Sequence, residues 1–176
     1  MKQRYELILA GSGGQGLVFL GKTLGEAAIV ENRNVVQTQT YGIAQRGGLS
    51  SSEIVIDSDE ITYQQVITPD AILALSESAI RSYSKPGQTA PLVYDSGVLS
   101  LEDKEGWYGY PFAELAMKDG NERMANLLAL GAMLKLFPAV KLESIEKFFK
   151  RNFGEQVAVK NMEALYKGAK LVENGR

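Results

Sequence analysis

Apolar and polar positions fall into two regimes along the chain. In the first two thirds, short apolar runs of strand length alternate with polar, glycine-bearing segments. Residues 5–10 form one such run, which stops at Gly11-Ser12-Gly13-Gly14-Gln15-Gly16. An apolar run bounded by glycines predicts a buried strand. Leu17, Leu20, Leu24, Ala27 and Ala28 then recur at helical spacing and predict a helix over about 15–31. Gly21 and Gly25 share a face of that helix, where a neighbour can approach closely. Residues 34–40, rich in β-branched side chains, predict a second strand. Further strands are predicted at 50–56, 70–76 and 91–95, with a helix at 77–83 and a turn or exposed loop at 57–60. The last third reads as helices at 112–118, 122–137, 142–153 and 157–172. Asn121 is placed to cap the second of these and Pro138 to stop it. Trp107, Tyr108 and Tyr110, interleaved with Gly106 and Gly109, read as an aromatic loop that covers the core or anchors a partner.

Strand, glycine loop, helix and strand at the start, with more strands and helices behind them, predict an α/β fold. The expected architecture is a Rossmann-like, largely parallel sheet with flanking helices and a helical C-terminal third, all of 1–176 forming a single domain. Ligands of such sheets sit beyond the carboxyl ends of the strands. The segments 11–16 and 41–48 each follow a strand, so both are expected to open toward that edge.

Composition narrows the chemistry. The chain has 176 residues, a net charge of −2 and neither cysteine nor histidine. Disulfides, thiolate nucleophiles, cysteine-held iron–sulfur clusters, histidine-ligated haem and Ser-His-Asp triads are thereby excluded. The isoelectric point near 5.3 argues against a nucleic acid held by bulk charge. No apolar run approaches bilayer length, so no membrane contact is expected and a cytoplasmic location is.

Gly11, Gly13 and Gly16 fit G-x-G-x-x-G between a strand and a helix, an arrangement that suits a phosphate at a helix N-terminus. The same glycines serve equally well to pack the helix on the sheet. The acid that a dinucleotide site places about 20 residues further on is absent, since that strand ends Gln37-Thr38-Gln39-Thr40. In the segment 41–48, Arg46 beside Gly47 and Gly48 offers a guanidinium on permissive backbone, and Tyr41 a ring for stacking. Asp57, Asp59 and Glu60 lack calcium-loop spacing. Glu53 and Glu77 have no chemical partner in the sequence. The candidate binding residues are therefore Gly11, Ser12, Gly13, Gly14, Gln15, Gly16, Tyr41, Arg46, Gly47 and Gly48, with no catalytic residue and no metal ligand.

Four strings together carry more information than any one motif: 11–16, Gln39-Thr40-Tyr41-Gly42, Gln45-Arg46-Gly47-Gly48 and Ser52-Glu53-Ile54-Val55-Ile56. With 69–76, 92–96 and 126–132 they resemble the gamma subunit of 2-oxoacid:ferredoxin oxidoreductases over nearly the whole chain. The resemblance implies an oxidative decarboxylation in which a 2-oxoacid, coenzyme A and oxidised ferredoxin give acyl-CoA, carbon dioxide and reduced ferredoxin. It further implies that thiamine diphosphate, Mg2+ and iron–sulfur clusters reside in alpha, beta and ferredoxin-like delta partner subunits. This chain would then be inactive alone and would help to enclose coenzyme A through Arg46 and the glycine loop. An interface also predicts exposed apolar surface on the free chain, around Trp107–Pro111 and the C-terminal helices, which a homodimer of the isolated chain could cover. Residues 39–42 and 61–63 are most like the 2-oxoglutarate type, whereas Ile43-Ala44-Gln45-Arg46 is similar to the indolepyruvate type. The competing readings are a free-standing dinucleotide-binding oxidoreductase and a non-catalytic interaction module.

Overall fold

The structure, a computed structural model, describes residues 2–41 and 48–173, Tyr41 through its backbone alone. β1 (Arg4–Gly11) leads through the glycine loop into α1 (Leu17–Val30), and β2 (Asn34–Tyr41) is followed by β3 (Ser50–Asp57). β4 (Ala71–Ala74), α2 (Glu77–Tyr83), β5 (Leu92–Asp95) and β6 (Trp107–Tyr110) complete the sheet. α3 (Phe112–Lys118), α4 (Ala125–Leu136), α5 (Leu142–Phe153) and α6 (Glu155–Glu173) form the helical C-terminal third. The strand order is β2-β3-β1-β4-β5-β6. β3 is antiparallel to both neighbours and every other adjacent pair is parallel. The expected α/β fold with a largely parallel sheet is thus present. Its one reversed strand is the return arm of the β2–β3 hairpin, which lies between β1 and β2.

Alternation along the strands creates two apolar faces. Leu7, Leu9, Ile54, Ile56, Leu73 and Val93 belong to the larger core, under α1, α3, α4, α5 and α6. Ile8, Ala10, Ile72, Ala74 and Leu92 belong to the smaller one, shared with Ala79 and Ile80 of α2. α1 seats its glycine face on the hairpin: a Cβ on Gly21 would lie 2.3 Å from Gln37 Nε2 and 2.6 Å from Ser52 Oγ. Every residue from Leu127 to Leu134 of α4 is buried, as befits a helix enclosed on all sides. No helix among the described residues is long and apolar enough to cross a membrane.

Two expectations are corrected. The aromatic segment 107–110 is not a loop but the edge strand β6, paired in parallel with β5. Four residues with a central glycine show no readable alternation. Gly109 leaves room beside β5 for the Tyr94 ring, whose tip would lie 2.6 Å from a Cβ there. Asn121 does not cap the next helix through its side chain; a 3-10 turn over Glu122–Met124 comes first and α4 begins at Ala125.

Candidate functional site

The loops after β1, β4 and β5 meet at the carboxyl edge of the sheet. The glycine loop after β1 is held by Gln15. Its Oε1 accepts from the Ser12 N–H at 2.7 Å, and its Nε2 donates to the Leu75 carbonyl at the end of β4 at 2.8 Å. A Cβ on Gly11 would lie 2.4 Å from that Oε1, so the glycine makes room for the brace. From the other side Asn126, at the start of α4, donates to the Gln15 carbonyl at 3.1 Å. Gly16 enters α1 with φ +76, in the left-handed region, and a Cβ there would lie 2.4 Å from Asn126 Nδ2. Gly13 and Gly14 are exposed, and a Cβ on either would meet nothing within 4 Å. Among the described residues their N–H groups have no partner.

Between this loop and the starts of α3 and α4 lies a cleft of about 500 Å³, lined by Gly14, Gly16, Phe19, Asp95, Arg123 and Asn126 among others. Asp95, at the end of β5, is buried. Its carboxylate accepts from the Gly97 N–H at 3.0 Å and from the Ala113 N–H at 2.9 Å, fastening β5 to the start of α3. Burial pushes its pKa above the ordinary carboxylate value against the pull of those backbone donors. The Asn126 Oδ1 atom is buried without a hydrogen-bond partner.

The described ends of the second predicted segment flank the same edge. Gly11 and Tyr41 both stand opposite Ser50 in the register, one on each side of β3. The backbone of Tyr41 is therefore separated from Gly11 by β3, while Ser50, two residues after Gly48, stands directly beside Gly11. Arg46, Gly47 and the Tyr41 side chain lie outside the described residues. The dinucleotide reading loses support from the topology as well as from the missing acid. The strand beside β1 on that side is the reversed β3, so the carboxyl end of β2 stands one strand further off.

Asp95, Arg123 and Asn126 are not among the candidate binding residues, although Asp95 and Asn126 lie in segments that carry the family resemblance. Asn126 is the one polar residue opening an apolar helical run, and Asp95 ends a strand just before Ser96-Gly97; only the packing of α4 against the loop unites them. Gln15, by contrast, is taken up by the loop itself. A Gln15→Ala chain is expected to lose about 1–3 kcal/mol, since Ser12 N–H and Leu75 C=O both lose a partner. Urea denaturation measures this, and an unchanged midpoint would contradict the bracing role.

The clustered charges sit at the opposite edge. The Glu6 carboxylate accepts from the N–H groups of Ile67 (2.7 Å) and Thr68 (2.9 Å) and from Arg4 Nε (2.9 Å). Burial alone would raise its pKa, but the Thr68 and Ile67 N–H groups and Arg4 outweigh it and hold it below the usual value. Asp57, 3.2 Å from Arg4, is likewise lowered: burial opposes, and the Asp59 N–H and Arg4 prevail. Glu77 pairs with Arg81 on the exposed face of α2. No group of acidic side chains suited to a metal ion occurs among the described residues.

These features define an α/β chain with a cleft at the carboxyl edge of its sheet, lined by exposed glycine backbone, the buried Asp95 and Arg123. The chain belongs to the family described as pyruvate ferredoxin/flavodoxin oxidoreductase, matched over residues 6–171. It is 34% identical over 180 residues to 2-oxoglutarate synthase subunit KorC of Methanocaldococcus jannaschii, an alignment covering 98% of this chain and 96% of that one. The keto/oxoacid ferredoxin oxidoreductase gamma subunit of Geobacter sulfurreducens superposes with a TM-score of 0.79 at 32% identity, over 97% of this chain and 99% of that one. The 2-oxoglutarate:ferredoxin oxidoreductase of Magnetococcus marinus, solved with 2-oxoglutarate, coenzyme A and succinyl-CoA bound, superposes with a TM-score of 0.84 at 26% identity. All of this chain is covered there but only 32% of that longer chain. The family read from the motifs is thus confirmed.

Proposed function

We propose that residues 1–176 form one gamma-type domain that acts as the accessory subunit of a cytoplasmic, thiamine-diphosphate-dependent 2-oxoacid:ferredoxin oxidoreductase, with 2-oxoglutarate as the 2-oxoacid. The observation that carries this reading is the end-to-end match with KorC, which leaves neither chain with a large unmatched part. Cysteine-held iron–sulfur clusters do not fit this chain, which has no cysteine, and the Mg2+ that accompanies thiamine diphosphate finds no acidic cluster among the described residues. When bound to the alpha, beta and delta partners, those groups supply the carbanion chemistry and the electron path to ferredoxin.

Coenzyme A fits better. Its diphosphate suits the N–H groups of Gly13 and Gly14 at the start of α1, and Arg123 and Arg46 are the cations to meet its charge. In this reading the chain binds and orients the thiol carrier at the mouth of a site that its partners build.

The test is the assembled enzyme with and without this chain, assayed for ferredoxin reduction on a panel of 2-oxoacids. Turnover is expected to be fastest with 2-oxoglutarate and lost without the chain; turnover by the isolated chain would overturn the reading. Arg46→Ala in the complex is expected to raise the coenzyme A KM about tenfold with kcat nearly unchanged, as loss of a charged hydrogen bond predicts. An unchanged KM removes Arg46 from the site.

A further inference from the structure

The cleft at the carboxyl edge opens onto an apolar rim. Val98, 41% exposed, and the half-buried Phe19 both line the cleft. Phe19 stands at the start of α1 and carries the apolar surface across to the end of α5, where its ring meets that of Phe153 edge to face, 6.0 Å between centroids. Phe153 is itself 41% exposed, and Val157, in the first turn of α6 just beyond Gly154, is 46% exposed. The Phe153 ring is held in place from its other sides by Phe148 and Phe149, at 5.8 and 6.0 Å. Large apolar side chains scattered singly over a surface are ordinary. A run of them leading from the mouth of a cleft marks a surface built to be covered. A ring that is already immobilised also loses little freedom on association, so its burial is nearly all gain.

We propose that this rim, formed by Phe19, Val98, Phe153 and Val157, is where the catalytic, thiamine-diphosphate-bearing subunit docks, closing the coenzyme A cleft from outside. The inference rests on the functional reading above. The chain has neither cysteine nor histidine, and no group of acidic side chains among the described residues suits a metal ion. A thiol carrier seated in the cleft therefore reacts only with groups that another body brings to its mouth. A body placed there covers Val98 and Phe19, and with them Phe153 one ring further out. A second copy of this chain does not serve, because it would close the cleft with a surface equally poor in reactive groups. The Magnetococcus marinus chain points to the same occupant: this domain matches 32% of it, so there the domain works beside a larger body of its own polypeptide. In a separate chain that neighbour is held by contact alone, and obligate contacts of this kind are the more apolar ones. Apolar closure also keeps water out of the reacting site.

The test uses the complex, with this chain co-expressed alongside the alpha and beta subunits. Val157→Glu and Phe153→Glu, made singly, each place a carboxylate on the rim, where burial without a partner is costly. Affinity for the catalytic subunits is expected to fall about tenfold or more in each. Ile29→Glu, at a residue 57% exposed near the far end of α1, should leave it unchanged. Val157→Glu is expected to keep the melting temperature of the isolated chain, since an acid in the first turn suits a helix; it decides the matter even where Phe153→Glu loosens the ring cluster. A complex that Val157→Glu enters with parental affinity overturns this inference and leaves the functional reading standing. A parent chain that joins no such subunit overturns the functional reading, and this inference with it. A dimer of the chain itself that Val157→Glu dissolves, with assembly onto the catalytic subunits unimpaired, assigns the rim to a second copy and also overturns the proposal.

Discussion

Gly168→Ala is expected to melt roughly 10 °C below the parent chain, and Gly131→Ala to do the same. α4 and α6 cross backbone to backbone at these two glycines. A Cβ on Gly168 would lie 1.9 Å from the Leu128 carbonyl oxygen, and one on Gly131 2.0 Å from the Leu165 carbonyl oxygen. The next nearest atoms are carbonyl carbons and Cα atoms of the same residues, so no rotamer change relieves the clash and the helices must separate. Separation opens voids around side chains as deeply buried as Leu130 and Leu165. Overpacking of this kind costs about 3 kcal/mol or more. It also reaches the candidate site, because α4 carries Asn126 to the Gln15 carbonyl. Calorimetry of the two single variants decides the matter: a melting temperature within 2 °C of the parent, on the usual scale of roughly 2–4 °C per kcal/mol, would refute the crossing.

Glu6→Ala is expected to cost about 2–3 kcal/mol, the worth of one or two hydrogen bonds to a charged group, and to free the connection between β3 and β4. Residues 58–70 have no regular structure, yet they are tied down at several points. Ile67 and Thr68 donate to Glu6, Asp70 accepts from the Glu6 N–H at 2.9 Å, and Asn34 Nδ2 donates to the Asp59 carbonyl at 2.9 Å. Lys2 also pairs with Asp70. Glu6 is the central tie, and without it Arg4 keeps only Asp57. Chymotrypsin at Tyr63, half exposed in that connection, should cut the variant markedly faster than the parent; equal rates would contradict the pinning role.

The same network predicts acid sensitivity. Glu6 and Asp57 titrate in the folded chain below their unfolded values, which are about 4.3 and 3.9. Their contribution is therefore complete above those values and is lost as pH falls through the folded ones. Urea midpoints should hold steady from neutral pH to about pH 5 and fall below it, and the fall should be shallower in Glu6→Ala.

The glycine loop was legible because its signal is local. A strand run, a cluster of glycines and a helical period sit within thirty residues, and each fixes backbone conformation without help from elsewhere. Gly16 at φ +76 and the cramped Gly11 show that these glycines are required by geometry whether or not a ligand binds. The rest of the cleft was not legible, since Asp95, Arg123 and Asn126 stand on three separate segments. Nothing in the spacing of residues 95, 123 and 126 from the loop records that α4 docks against it.

Periodicity and turn residues by themselves settled the elements: α2, α3 and α5 occupy the predicted spans, and β1 to β5 differ from theirs by a few residues. These depend on short-range sterics and on one-sided burial, both written in consecutive residues. Composition by itself removed cysteine and histidine chemistry. Direction and adjacency of strands were decided only by the tertiary structure. The insertion of β3 between β2 and β1, the conversion of 107–110 into an edge strand and the crossing at Gly131 and Gly168 all turn on contacts between residues far apart in the chain. Such contacts depend on which surfaces fit closely enough to exclude water, and that fit belongs to the assembled core rather than to any one segment.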